Sequence, residues 1–99
     1  MKKSVLINGK MISNRNDLYQ YLQKKFNYPE STGHNLDALW DVLSYSKSLK
    51  KITLIHTQEL RLKLGDYAQS LIDLFMELNH KNQIQLIIFE GKRDGINQS

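Results

Sequence analysis

The chain has 99 residues, of which 40% are hydrophobic and 24% charged, and these proportions are those of one ordinary globular domain. It contains no cysteine, which excludes disulfides and thiolate metal sites, and its three histidines lack the spacing of zinc ligands. We therefore expect neither a metal nor a cofactor. No apolar run reaches the length of a secretory signal or a membrane span, so we expect a cytoplasmic protein that does not enter membranes.

The net charge of +4 is unevenly distributed along the chain. Residues 1–25 carry six basic and one acidic side chain (+5), residues 26–46 carry three acidic and no Lys or Arg (−3), and residues 47–99 carry eight basic and six acidic (+2). Such an asymmetry can steer a charged partner. It is equally consistent with ordinary variation of charge along a short chain.

The first half of the chain predicts one strand and two helices. Residues 4–8 form a short apolar strand that ends at an Asn-Gly turn. Apolar residues at spacings of three and four predict a helix over 14–26. Three residues near its start offer N-cap chemistry, namely Ser13, Asn14 and Asn16. The segment 27–34 contains the only proline and predicts a loop. Asn35 is a suitable N-cap for a second helix, which should stop near 44–46.

The second half begins with a β-branched, apolar strand over 51–56. The segment 58–64 is ambiguous and could form a short helix. Asp66 and Gln69 have the spacing of a capping box, with Asp66 as N-cap, and predict a helix that continues to about residue 80. This helix has an apolar stripe that ends at Leu78.

The last strand and the chain end complete the predicted architecture. Residues 84–89 are almost wholly apolar and predict a strand buried on both faces. Strands separated by helices predict right-handed crossovers and a parallel sheet covered by helices, an α/β fold. We expect one domain over 1–90, and the polar residues 91–99 predict a flexible tail.

The densest chemistry lies in residues 29–41, Pro-Glu-Ser-Thr-Gly-His-Asn-Leu-Asp-Ala-Leu-Trp-Asp. Asp37 and Asp41 are four residues apart and share one helix face, where like charges repel by about 0.2–0.5 kcal/mol. The helix N-terminus offsets this at Asp37 by about 0.3–1 kcal/mol, but gives little to Asp41. The pair is locally tolerated rather than locally favoured.

Three interpretations of this pair remain open on the residues alone. The first is a solvated helix face with a capping aspartate. The second is an acid–base or metal pair, which would need Glu30 or His34 aimed at the same point. The third is a rigid acidic surface that pairs with a basic partner and uses carboxylates to imitate phosphates.

The run Pro-x-x-x-Gly-x-Asn-Leu-Asp-Ala-Leu-Trp-Asp resembles the signature of the barstar family, intracellular inhibitors of barnase-type secreted ribonucleases. The opening residues 1–9, the helix start at Asp17, residues 74–77 and the last strand also look barstar-like in order and spacing. The resemblance implies a three-stranded parallel sheet packed by three to four helices. It also implies a non-enzymatic immunity protein, monomeric when free, whose loop and second helix plug a nuclease active site.

The resemblance implies specific roles for several residues. Asp41 would be the principal anchor, with its carboxylate in place of a substrate phosphate, and Asp37 would make a second charged contact. Trp40 would straddle core and interface, and Glu77 would add a peripheral charge. Asn35, Leu36 and Gly33 would shape the approach of the loop. The implied partner-binding surface comprises Ser31, Gly33, Asn35, Leu36, Asp37, Trp40, Asp41, Ser44, Ser46 and Glu77.

The chain departs from the family's type member at three of its aromatic positions. Ser31 and Thr32 stand where that member has aromatic residues before the glycine, and Ser46 stands where it has a tryptophan. Aromatic anchors commonly dominate interfaces. The type member is also acidic, whereas this chain carries +4. These departures imply a different cognate enzyme or weaker binding rather than a different fold.

Two other functions compete with that of a ribonuclease inhibitor. The basic first third and Lys92-Arg93 are compatible with a small nucleic-acid-binding α/β module, although no RNP motif or aromatic platform is present. A small hydrolase or nuclease could use Asp37, Asp41 and His34. The sequence has no Gly-rich phosphate loop or nucleophile elbow to support that interpretation.

Overall fold

The computed structural model describes residues 3–81 and 83–89, so the predicted tail over 91–99 lies outside the described residues. In chain order the elements are β1 (Lys3–Asn8), a 3₁₀ turn (Gly9–Met11), α1 (Arg15–Phe26), α2 (Leu36–Tyr45), β2 (Leu49–Ile55), α3 (Thr57–Leu64), α4 (Asp66–His80) and β3 (Gln85–Ile88). The ambiguous segment 58–64 is thus helical. None of these described helices combines the length and apolarity needed to cross a bilayer.

The three strands form one parallel sheet in the order β1-β2-β3, as predicted. In the register, Ile7 lies beside Leu54, and Leu54 lies beside Ile88. Each connection between neighbouring strands contains two helices, because a parallel pair needs a long crossover rather than a tight turn.

The sheet buries one face more completely than the other. Val5 and Ile7 of β1 are buried in the core, whereas Leu6 between them is 46% exposed. The prediction that residues 84–89 are buried on both faces is wrong, because Gln85 and Phe89 are exposed and the residues between them are only half-buried. The apolar run over 84–89 therefore belongs to β3, an edge strand with one covered face, and not to a central strand.

The core lies between the covered sheet face and the helices. α1 contributes Leu18, Tyr19 and Leu22, and α2 contributes Leu39 and Leu43. The largest contribution comes from α4, whose buried residues are Ala68, Leu71, Ile72, Leu74, Phe75 and Leu78. Full burial of a Leu, Ile or Phe side chain is worth about 1.5–3 kcal/mol. The periodic apolar stripes predicted for these helices are therefore their packing faces.

The helix ends match the predicted caps in two cases out of three. Asn14 Oδ1 accepts a hydrogen bond from Asp17 N at 2.8 Å and caps α1, and Asn35 caps α2. The prediction that Asp66 is the N-cap of α4 is wrong, because Asp66 is the first residue of the helix. Gly65 occupies the cap position and makes no side-chain hydrogen bond. One residue separates α3 from α4, so the turn needs the positive φ of 61° that glycine adopts readily.

The 3₁₀ turn after β1 packs tightly on the start of α3. A Cβ atom at Gly9 would lie 2.3 Å from the backbone oxygen of His56, a distance that no side chain tolerates. Gly9 is buried, and the Asn8 side chain closes the turn by accepting a hydrogen bond from Lys10 N at 3.0 Å. The Asn-Gly pair therefore forms the predicted turn, and glycine is required at position 9 because the backbone of His56 approaches it closely.

Candidate protein-binding surface

The loop that precedes α2 is fixed to α1 by contacts at both of its ends. Asn27 ends α1 in the left-handed region (φ 59°, ψ 50°), and its backbone N–H donates a hydrogen bond to Gln23 O of α1 at 2.8 Å. At the far end, the His34 ring stacks on Tyr19, with centroids 5.5 Å apart and planes 10° apart. Because Tyr19 is buried in the core, this stacking ties the loop to the body of the protein.

The junction between loop and helix is set by Gly33 and Asn35. Asn35 Oδ1 accepts a hydrogen bond from Ala38 N at 2.8 Å, and Asn35 O accepts one from Leu39 N at 3.1 Å. A Cβ atom at Gly33 would lie 3.0 Å from Asn35 Nδ2, so a larger residue there would press on the cap. Both residues therefore define where α2 begins and in which direction it points.

Asp37 and Asp41 are both exposed on α2. Neither carboxylate forms an ion pair or a hydrogen bond with any residue in the described part of the chain. Although the protein is basic overall, no lysine or arginine in the described part of the chain pairs with either carboxylate. Their negative charge is available to a partner.

A shallow groove of about 400 Å³ lies at the surface where α2 packs against α4, and we call it the acidic groove. It is lined by Leu36, Asp37, Trp40, Ser70, Asp73, Leu74 and Glu77. Its apolar residues pack against the core, and three of its seven residues carry carboxylates. The structure thus brings the predicted residues Asp37 and Glu77 to one depression, although they are 40 positions apart.

Asp73 belongs to the acidic groove and was missed in the sequence. Its Oδ1 accepts a hydrogen bond from Gln69 Nε2 at 2.8 Å, and Gln69 in turn accepts one from Arg61. This chain of contacts orients the carboxylate along α4. The four-residue spacing between Asp73 and Glu77 could have indicated a shared helix face, but only the packing of α4 on α2 shows which partner that face meets.

Asp41 lies one turn further along the same exposed face of α2 and borders a second groove of about 500 Å³, which we call the aromatic groove. It is lined by Lys3, Phe26, Asn27, Tyr28, Pro29, Asp41, Val42, Tyr45, Ser46 and Ser48. The helix is therefore a ridge between two depressions. Asp37 contributes to one of them and Asp41 to the other.

The remaining predicted site residues differ in their exposure and in whether their polar groups already have hydrogen-bond partners within the chain. Trp40 is half-buried, packs on the core and lines the acidic groove. Ser44 Oγ donates to Trp40 O at 2.6 Å and is satisfied within its own helix. Ser46 Oγ accepts from Leu49 N at 3.3 Å, and Ser31 is exposed in the loop.

The geometry does not support the acid–base or metal interpretation. Glu30 and His34 line a separate depression with residues of α1, away from both grooves beside α2. Within residues 3–81 and 83–89, no group of three or more His, Asp or Glu residues could hold a metal ion. The His34 ring instead stacks on Tyr19.

These features define a small α/β protein in which a capped helix exposes two unpaired carboxylates. A family model described as Barstar (barnase inhibitor) matches residues 2–90. The chain therefore belongs to the barstar family, whose members are inhibitors that bind ribonucleases as protein partners. It is also similar to a Bacillus subtilis (strain 168) protein named "Putative ribonuclease inhibitor YrdF", with 29% identity over 89 residues, 87% of this chain and 98% of the relative.

Proposed function

We propose that this protein is a non-enzymatic inhibitor of a barnase-type ribonuclease and that it blocks the nuclease active site with α2 and the loop before it. The observation that carries the proposal is the pair of exposed, unpaired carboxylates of Asp37 and Asp41 on a helix fixed at its N-terminus. Family membership supports the partner class. The inhibitor acts in the cytoplasm of the producing cell, as a monomer when free, on an enzyme destined for secretion.

In this mechanism the carboxylate of Asp41 takes the place of a substrate phosphate. An active site that cleaves RNA must hold a phosphate with cationic donors, and a carboxylate accepts the same charge-assisted hydrogen bonds, including bidentate ones from arginine. The stacked His34 and the Asn35 cap hold the surface in place before binding. Less entropy is lost on association when the binding surface is ordered in advance.

The acidic groove supplies the second part of the contact. A lysine or arginine side chain of the enzyme can lay its aliphatic stem on Leu36 and Trp40 while its charged end reaches the carboxylates at the rim. Asp37 and Glu77 are then used together, and Asp73 adds a third charge. The partner is therefore expected to present at least two cationic side chains spaced across α2.

The direct test is RNA cleavage by a purified barnase-type ribonuclease, measured with increasing amounts of the protein. The unaltered chain should abolish cleavage, and Asp41→Ala should raise the inhibition constant at least about 30-fold, because removal of one partner from a buried charge pair costs about 2–5 kcal/mol. Glu59→Gln is the control, since it removes a charge from α3, which packs on the 3₁₀ turn and α4. Full inhibition by Asp41→Ala would remove Asp41 from its proposed role.

A further inference from the structure

Lysines are concentrated at the edge of the sheet where the three strands begin. In a parallel sheet every strand starts at the same edge, because each connection crosses back over the sheet. Lys3 starts β1, Lys50 and Lys51 lie at the start of β2, and Lys81 caps the end of α4. The end of α1 and the segment after α2 add three more. We call this set, half of the chain's 14 lysines and arginines, the basic edge: Lys3, Lys24, Lys25, Lys47, Lys50, Lys51 and Lys81.

Hydrogen bonds and strand pairing hold the starts of the strands and the end of α1 together. Lys3 N donates a hydrogen bond to Ser48 O, just before β2, at 2.7 Å, and Lys3 Nζ donates to Phe26 O at the end of α1 at 3.4 Å. In the sheet register Lys51 lies beside Gln85, the first residue of β3. The lysines of these elements therefore share one continuous surface.

The end of α4 joins the same surface through β3. Leu86 N donates a hydrogen bond to Asn79 Oδ1 in the last turn of α4 at 3.0 Å. Gln83 N donates to Leu78 O, also at 3.0 Å. Lys81 lies in this short connection and is exposed. The basic edge thus extends across the whole width of the sheet.

The ammonium groups of the basic edge are not neutralised by contact with carboxylates. Within residues 3–81 and 83–89, none of the seven forms an ion pair. The Lys3 ammonium donates to a carbonyl oxygen, and that of Lys25 lies 5.7 Å from the centre of the Tyr21 ring. The exposed members are Lys24, Lys47, Lys50 and Lys81. Their charge is available to a partner.

Helix ends account for only part of this charge. Three helices, α1, α2 and α4, end at the basic edge, and each C-terminus carries a partial charge of about −0.5 that favours nearby cations. Glu30 follows α1 in the loop, and Asp41 and Glu77 lie about one turn before the ends of α2 and α4. The seven lysines exceed all of these negative groups together. Because unbalanced like charges repel one another and destabilise a compact fold, their concentration at one edge indicates an anionic partner.

An exposed aromatic ring borders the lysines. Tyr45 ends α2 two residues before Lys47, is 80% exposed, and lines the aromatic groove together with Lys3. Proteins that hold single-stranded nucleic acids combine cations along the phosphate backbone with rings on which bases stack. A duplex keeps its bases stacked within itself, and a lipid surface has no bases to offer. The combination of lysines and an exposed ring therefore favours a single strand.

We propose that the basic edge binds the phosphate backbone of single-stranded RNA and that the Tyr45 ring stacks on one of the bases. This binding goes beyond inhibition of a nuclease, because it uses cations where the strands begin rather than the carboxylates of α2. The choice of RNA over DNA rests on the proposed function, in which the partner enzyme acts on RNA. The contacts made by the lysines and the ring do not depend on that function.

Fluorescence anisotropy of a labelled oligouridylate of about 12 nucleotides tests the surface without any nuclease. The intact protein should bind this RNA with a dissociation constant of about 1–100 μM at physiological salt. The logarithm of the affinity should fall with the logarithm of the salt concentration by about 0.7 for each phosphate contacted. Absence of saturable binding even at about 50 mM salt would overturn the inference.

Two double variants of equal net charge separate the basic edge from the overall basicity of the protein. Lys47→Gln combined with Lys50→Gln should weaken binding about 5- to 10-fold and reduce the salt dependence by about 0.7 for each lysine removed. Lys10→Gln combined with Lys63→Gln removes two exposed lysines from the 3₁₀ turn and α3, and should change neither quantity appreciably. Equal weakening by the two double variants would overturn the inference.

Substitution of Tyr45 tests the stacked base. Tyr45→Ala should weaken binding about 5-fold or more without changing the salt dependence, and Tyr45→Phe, which keeps the ring, should bind as the unaltered chain does. An RNA duplex of the same length should bind more weakly than the single strand, because its bases are not free to stack on Tyr45. Unchanged affinity of Tyr45→Ala, or tighter binding of the duplex or of single-stranded DNA, would overturn the assignment to single-stranded RNA.

Binding and inhibition measurements separate this inference from the proposed function. RNA binding that is lost in the variant of Lys47 and Lys50, without inhibition of any barnase-type ribonuclease, would support the RNA surface and contradict the inhibitor function. Inhibition that is sensitive to Asp41→Ala, but without RNA binding, would support the inhibitor function and contradict the RNA surface.

Discussion

The imidazole of His34 lies almost parallel to the phenol of Tyr19, with 5.5 Å between the ring centroids. Tyr19 is 1% exposed, and its hydroxyl also hydrogen-bonds the hydroxyl of Tyr67 on α4. The guanidinium of Arg15 lies over the Tyr67 ring at 3.9 Å. The position of the exposed loop is therefore set by a connected group of aromatic contacts that begins in the core.

We predict that His34→Ala weakens inhibition although His34 lies outside the two grooves beside α2. Loss of a stacked ring pair costs about 0.5–1.5 kcal/mol and frees the loop end that positions Asn35. Binding affinity for the ribonuclease, measured by titration calorimetry, should fall with a less favourable entropy. His34→Phe keeps the stacked geometry and should restore affinity; failure of this rescue would mean that the imidazole itself contacts the enzyme.

The two asparagine caps allow stability to be separated from recognition. Asn14→Ala and Asn35→Ala each remove one side-chain hydrogen bond of 2.8 Å at a helix N-terminus and should each lower the free energy of unfolding by about 0.5–2 kcal/mol. Urea denaturation measures this loss. Only Asn35→Ala should also raise the inhibition constant, because α2 carries the proposed surface. An equal effect of both variants on inhibition would indicate a general loss of folded protein.

The glycines should differ sharply in their tolerance of alanine. Gly9→Ala places a Cβ 2.3 Å from a backbone oxygen and should cost about 3 kcal/mol. Gly65→Ala has open space but a φ of 61°, and should cost about 1–2 kcal/mol. Gly33→Ala meets the movable end of Asn35 and should cost least. Thermal melting of the three variants should reproduce this order, and a destabilised Gly33→Ala would show that the loop is less adaptable than its contacts suggest.

The buried tyrosines should make the fold sensitive to alkali. Burial, followed by the hydrogen bond between the Tyr19 and Tyr67 hydroxyls, raises the pKa of Tyr19 well above its ordinary value near 10, and burial also raises the pKa of Tyr28. A group whose folded pKa is raised contributes its full stability below the unfolded pKa, and this contribution is lost as the pH rises above it. The urea midpoint should therefore fall steeply above about pH 10. Tyr19→Phe should reduce this slope while leaving the curve below pH 9 flat, and an unaltered slope would contradict the assignment.

Except over the ambiguous segment 58–64, helix and strand identity could be predicted from the sequence because it depended on local pattern. The apolar stripes of α1 and α2 and the caps at Asn14 and Asn35 could be recognised from residues within one or two helical turns of each other. The burial of β3 could not be predicted, because the same apolar run suits a strand covered on one face or on both. Only the placement of the helices decides between the two cases. Asp66 failed as a cap for a similar reason: the break at Gly65 is one residue long.

The candidate surface was predictable only in part. Asp37 and Asp41 were visible as an exposed pair on one helix, and the resemblance implied Glu77. The membership of Asp73 in the acidic groove and the buried, unpaired hydroxyl of Tyr28 were not predicted. Both depend on which elements meet in space, since α4 reaches α2 only through tertiary packing and Tyr28 is enclosed by strand and helix ends that are distant in the sequence.

The helix α2 uses different side chains for folding and for its exposed surface. Leu39 and Leu43 are buried, and Asn35 fixes the helix start, while Asp37, Asp41 and Tyr45 are exposed. Substitution of these outward residues should therefore disturb the hydrophobic core very little. Such a division lets a scaffold of this kind be retargeted: new outward residues could be chosen for another enzyme and paired with it as an orthogonal toxin–antidote set, without redesign of the interior.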